Sequence, residues 1–66
     1  MEITLNGQTK TLSGVSTVAG LVESLGYTGK RIAVERNGEI VPKSSYAGTP
    51  VTPGDQIEIV VAVGGG

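Results

Sequence analysis

The chain has no cysteine, no histidine, no phenylalanine and no tryptophan in its 66 residues. Without Cys there are no disulfides, thiolate nucleophiles or soft metal ligands, and without His the commonest general base and zinc ligand is missing. Tyr27 and Tyr46 are the only aromatics, too few for a platform on which bases stack. Five basic residues against six acidic ones leave a formal net charge of −1, so no bulk positive field gathers nucleic acid or an anionic membrane. The longest apolar run, Ile59 to Val63, is far too short to span a bilayer, and Met1 leads directly into a strand pattern with no secretory h-region. These features predict a soluble, cytoplasmic protein with little side-chain chemistry of its own, no bound cofactor and no metal. A reducing compartment also fits the missing disulfides.

What is present is aliphatic. A domain of this size buries only about 60% of the surface its unfolded chain exposes. Its core must come from Ile, Leu and Val, which suits a small sheet under one helix better than a catalytic cavity. Glu2 to Leu5 alternates, Asn6-Gly7 is a two-residue hairpin turn, and Gln8 to Leu12 returns as a second strand. Val18, Leu21, Val22 and Leu25 then fall at i, i+3, i+4 and i+7, the stripe of an amphipathic helix of two or three turns. Ser16 or Thr17 can cap its start, and Gly26 stands where a left-handed C-cap residue is expected. Gly20, inside the helix, costs about 1 kcal/mol relative to Ala; it reads as tolerated rather than as a site of close packing.

Arg31 to Arg36 reads as a third strand, Asn37-Gly38 as another tight turn, and Glu39 to Val41 as a fourth strand stopped by Pro42. Lys43 to Pro50 reads as a surface loop, Pro53-Gly54-Asp55 as a turn, and Gln56 to Val63 as the last strand. The order is hairpin, helix, hairpin, loop, strand. It predicts an α+β fold: a mixed sheet of about four to five strands with one helix packed across it, the crossover letting the last strand lie parallel to the first. This is the ββαββ plan of a β-grasp, or ubiquitin-like, domain over residues 1–63, with a flexible glycine tail over 64–66.

That tail is the most informative feature. Gly64, Gly65 and Gly66 have no side chains to pack and large backbone freedom, and three residues extend about 10 Å at roughly 3.3–3.6 Å each. Such a thread carries a terminal carboxylate away from a strand and into a narrow slot on another protein. Along the last strand Ile57, Ile59, Val61 and Val63 share one face, while Glu58, Val60 and Ala62 share the other, which should be solvated. Val60, Ala62 and Val63 are therefore candidate partner-binding residues leading up to the tail, although ordinary β-propensity explains them as readily. Lys30, Arg31, Arg36 and Lys43 give the middle of the chain a basic bias that reads first as a solvated face. Glu23, Glu35, Glu39 and Glu58 fall on different elements with no pocket implied, and no residue is assigned a catalytic role.

In the run from Met1 to Gly7, the helix from Thr17 to Leu25, the block from Ala33 to Pro42, the run from Gly54 to Val60 and the terminal glycines, the chain closely resembles the ThiS family of sulfur carriers in thiamine biosynthesis. Gly20 departs from the pattern, since such carriers often place an acidic residue there that completes a capping box with Thr17. The resemblance implies that a ThiF-like adenylyltransferase, using ATP and Mg, activates the Gly66 carboxylate. It implies next that a persulfide supplied by a cysteine desulfurase system converts Gly66 to a thiocarboxylate, and that a ThiG-like thiazole synthase consumes the sulfur. The molybdopterin-synthase small subunit and ubiquitin-like modifiers share the fold and the diglycine end and form the alternatives, as does a non-covalent interaction domain with an incidental tail.

Overall fold

The computed structural model describes residues 1–62. The sheet has five strands, β1 (Glu2–Leu5), β2 (Gln8–Thr11), β3 (Ile32–Arg36), β4 (Glu39–Val41) and β5 (Gln56–Val61), in the order β2-β1-β5-β3-β4. β5 lies in the middle, parallel to β1 and antiparallel to β3, and the helix α1 (Val18–Ser24) crosses one face, as the hairpin-helix-hairpin order requires. The expected mixed sheet and β-grasp plan are therefore present, with five strands.

Both Asn-Gly pairs form the expected turns. Asn6 and Gly7 have φ of 50° and 81°, and Asn37 and Gly38 have 51° and 85°, the left-handed pairs whose twist matches that of the flanking strands. Thr17, not Ser16, caps α1: its hydroxyl accepts from the Gly20 N–H at 3.2 Å. Val18 and Leu21 are fully buried and Val22 nearly so, which is the apolar stripe read from the spacing. At the far end the Gly26 N–H donates to the Glu23 carbonyl and the Tyr27 N–H to the Val22 carbonyl, each at 3.0 Å, with Gly26 at φ 76°. These two bonds form a Schellman cap, which turns the chain sharply and lays Tyr27 toward Val22. A Cβ added at Gly20 would meet nothing closer than 3.6 Å, so no close packing requires glycine there.

Ile3, Leu21, Val34, Ile57 and Ile59 form the centre of the core between sheet and helix. The last strand leaves that cover early. β5 ends at Val61, with Ala62 already outside it, and Val61 is 37% exposed although it shares the face of Ile57 and Ile59. Leu12 lies just beyond β2 rather than within it, and Arg31 just before β3. The segment read as a surface loop is largely a 3-10 helix, Lys43–Gly48, entered through Pro42 at φ −62°. A short 3-10 turn needs only local i to i+3 bonds, such as the Ser45 N–H to the Pro42 carbonyl at 2.8 Å, and so has no amphipathic period to reveal it. It packs against α1, where the Val18 N–H reaches the Thr49 carbonyl and the Val51 N–H the Ser16 carbonyl, both at 2.9 Å.

Candidate functional site

The tail candidates Gly64, Gly65 and Gly66, the partner-binding candidate Val63, and the proposed boundary between residues 63 and 64 lie outside the described residues. What the structure describes is the platform before them. β5 pairs with β3 along Ile57 to Val61, and the ladder closes with the Ala62 N–H donating to the Arg31 carbonyl at 2.9 Å. The chain is thus held by main-chain bonds as far as Ala62.

On its other flank β5 runs out of neighbour. β1 pairs only through Thr4 with Gln56 and Leu5 with Ile57, and the Asn6 N–H adds one more bond to the Ile57 carbonyl at 2.9 Å. Beyond that point the Asn6 side chain substitutes for a strand: its Oδ1 accepts from the Ile59 N–H at 2.9 Å and its Nδ2 donates to the Ile59 carbonyl at 3.2 Å. Asn37 holds the beginning of β5 in the same manner, its Oδ1 accepting from the Gln56 N–H at 2.9 Å. The Asn-Gly spacing reveals the turns, but these second roles depend on which strand lies beside each turn, information that no local pattern carries.

Asp55, 5% exposed, is the buried hub at the foot of β5. Its carboxylate accepts from Arg36 Nε, the Thr52 N–H and the Thr52 hydroxyl at 2.8 Å each, and from Asn37 Nδ2 at 3.1 Å. Burial is the largest single influence and opposes the charged form, but the bonds from the Thr52 main chain, Arg36, Asn37 and the Thr52 side chain together outweigh it and hold the carboxyl at about 2. Arg36 is therefore a structural partner of Asp55 rather than part of an open basic face.

Val60 and Ala62 project from the face opposite the helix, as their alternation predicts, and both are exposed, Val60 at 64%. Cross-strand neighbours widen the apolar surface. Ala33 lies opposite Val60, and Ile40, 66% exposed, lies opposite Glu35. The acidic residues are less scattered than the sequence suggests, because Glu35 and Glu58 are direct cross-strand partners on this face. Their meeting is a consequence of register, which the separate strand patterns do not contain. Two like charges in that position repel, so the face has a local negative field beside its apolar residues. No group of three or more His, Cys, Asp or Glu able to hold a metal ion occurs among the described residues, and no helix there is long and apolar enough to cross a membrane.

The model of the ThiS family matches residues 3–66. A solved structure of the thiamine biosynthesis protein ThiS from Geobacter metallireducens superposes with a TM-score of 0.82 at 32% identity, covering 100% of both chains. Two curated relatives, thiazole synthases from Paramagnetospirillum magneticum and Magnetococcus marinus, are 48% and 38% identical over all 66 residues. The chain spans 20% of the length of each of these two relatives. A family match that runs through the glycine end, on a β-grasp sheet whose central strand leads toward it, shows that the chain belongs to the ThiS family.

Proposed function

We propose that this chain carries sulfur as a thiocarboxylate on Gly66 and donates it to a thiazole synthase. A carboxylate is a poor electrophile because its charge is delocalised and its leaving group would be oxide. A ThiF-like adenylyltransferase, with ATP and Mg, overcomes this: the Gly66 carboxylate attacks the α-phosphorus, pyrophosphate leaves, and an acyl-adenylate forms. A persulfide from a cysteine desulfurase system then attacks the acyl carbon and AMP departs. Attack through the persulfide's terminal sulfur leaves an acyl disulfide; a thiol then attacks the outer sulfur, forms a disulfide with it, and the Gly66 thiocarboxylate departs as the S–S bond breaks. The chain contributes no acid, base or nucleophile to these steps. It presents the reacting carbon, with Val60, Ala62 and Val63 docking on the partner and Gly64 to Gly66 entering its active site.

The observation that carries this reading is the ThiS match extending through the glycines to residue 66. The thiazole synthases whose sequences include a segment like this chain support a ThiG-like synthase as the recipient. The test is incubation of the full chain with a ThiF-like enzyme, ATP, Mg and a persulfide source, read by intact mass. The unmodified chain gains the mass of one oxygen-to-sulfur exchange. Deleting Gly65 and Gly66 abolishes that gain while the circular dichroism and melting temperature stay unchanged. Thiolation of the truncated chain, or none of the intact one, would refute the proposal.

A further inference from the structure

On the helix side of the sheet, opposite Val60, lies a groove of about 500 Å³ between the C-terminal half of α1, the 27–32 segment and the 3-10 helix. Both tyrosines of the chain, Tyr27 and Tyr46, line it, as do three of its five basic residues, Lys30, Arg31 and Lys43. Glu23 is its single carboxylate. The groove thus carries a formal +2, whereas Lys10 and Arg36 against Glu2, Glu35, Glu39, Asp55 and Glu58 leave the rest of the chain at −3. Among the described residues none of the three cations is in an ion pair, and all three are exposed. Lys30 stands over the Tyr27 ring, Nζ 5.7 Å from its centroid, and both line the groove.

The groove reaches the end of the sheet where β5 finishes. Arg31 and Ile32 line it, and they are the residues that pair with Ala62 and Val61. A protein that covers the end of β5 therefore meets this rim. The geometry points to a second docking surface, resting on the carrier reading above: the groove receives an acidic segment of the activating protein, with its carboxylates on Lys30, Arg31 and Lys43 and an apolar side chain against Tyr27 and Tyr46. Activation begins with an encounter between the carrier and the activating protein, and a charged rim beside the end of β5 accelerates and orients such an encounter. A +2 groove on a chain of net charge −1 is too small a field for nucleic acid, whose binding requires many phosphate contacts.

The test compares initial rates of thiolation by a ThiF-like enzyme for the full chain and for Lys30→Glu/Lys43→Glu. Rates are followed against carrier concentration at about 0.1 M and about 1 M NaCl, between which the Debye length falls from roughly 10 to 3 Å. The double reversal raises KM about tenfold at low salt, about threefold per charge, with kcat unchanged. The difference shrinks at high salt, and Lys30→Arg/Lys43→Arg restores the original KM. An unaltered KM, or a defect equal at both salts, overturns the groove while leaving the carrier reading intact. NMR shifts at Tyr27 and Tyr46 with inorganic phosphate, without a KM effect, would make it a small-anion site and overturn the docking assignment. Failure of the unmodified chain to be thiolated overturns both.

Discussion

Replacing Asn6 isolates the side-chain clamp on β5 from the turn that contains it. Asn6 is exposed, so water replaces part of what is lost, and its two bonds to Ile59, at 2.9 and 3.2 Å, fall toward the lower end of the usual net value. Two bonds at about 0.5–1 kcal/mol each make the clamp worth about 1–2 kcal/mol. Asn6→Gly removes the clamp but keeps the left-handed backbone, and so costs that amount. Asn6→Ala adds about 1 kcal/mol, because a Cβ is disfavoured at φ 50°. A domain of 66 residues has roughly 3–10 kcal/mol in total, and each kcal/mol shifts the melting temperature of a domain this small by about 4–8 °C. The Gly variant should therefore melt about 5–15 °C lower and the Ala variant lower still, by calorimetry or circular dichroism. Amide exchange at Ile59 should quicken in both, while Val34 in the core keeps its protection. If Asn6→Gly melts with the parent chain and Ile59 exchanges no faster, the clamp does nothing and the account of how β5 is held on its β1 side is wrong.

Asp55 gives a pH signature. Its carboxyl lies at about 2 when folded against 3.8 as an ordinary group, so the stabilisation is complete above pH 5 and is lost as pH falls toward 2. It amounts to roughly 2 kcal/mol. Urea unfolding of Asp55→Asn should be weaker than the parent at pH 7 and converge with it near pH 2; a constant gap across that range would contradict the assignment. Gly20→Ala should stabilise the chain by about 0.5–1 kcal/mol, because the nearest atom a Cβ would meet, Thr17 Oγ1 at 3.6 Å, is at ordinary contact distance. A destabilised variant in the same denaturation assay would show that the helix does need glycine at 20.

The elements most legible in the sequence are those with strong local chemistry. Asn-Gly pairs, the helical stripe from Val18 to Leu25 and the glycine after it each have a stereochemical cause confined to a few residues, and each appears where the pattern places it. Alternation along β5 likewise assigned Ile57 and Ile59 inward and Val60 outward. It overran at Val61, because a period of two reports which face a residue is on and not how far the helix covers that face. The 3-10 helix, the Glu35-Glu58 pair, the Asn6 clamp and the gathering of Tyr27, Tyr46, Lys30, Arg31 and Lys43 were not legible, since each joins residues whose proximity depends on strand order or on packing of the second crossover.

Strand order also explains why so small a domain contains a helix at all. Hairpins alone would make every neighbouring pair antiparallel; a strand parallel to β1 demands a crossover, and α1 supplies part of it while covering the core. The result places β5 between β1 and β3 instead of at an edge, so it is anchored by β3 as far as Ala62 on one side and by Asn6 as far as Ile59 on the other. The antiparallel run of β3 against β5 then puts the start of β3, and with it the cationic groove, at the end where β5 finishes. The two faces of the sheet differ in sign: Glu35 and Glu58 pair on the open face, back from the end of β5, and Lys30, Arg31 and Lys43 lie behind it. A partner that grips both sides is offered a unique orientation, because turning the domain over would set like charges against each other. Selection of orientation in this way requires no cavity chemistry in the domain, only a rigid central strand and charges of opposite sign on the two faces that flank it.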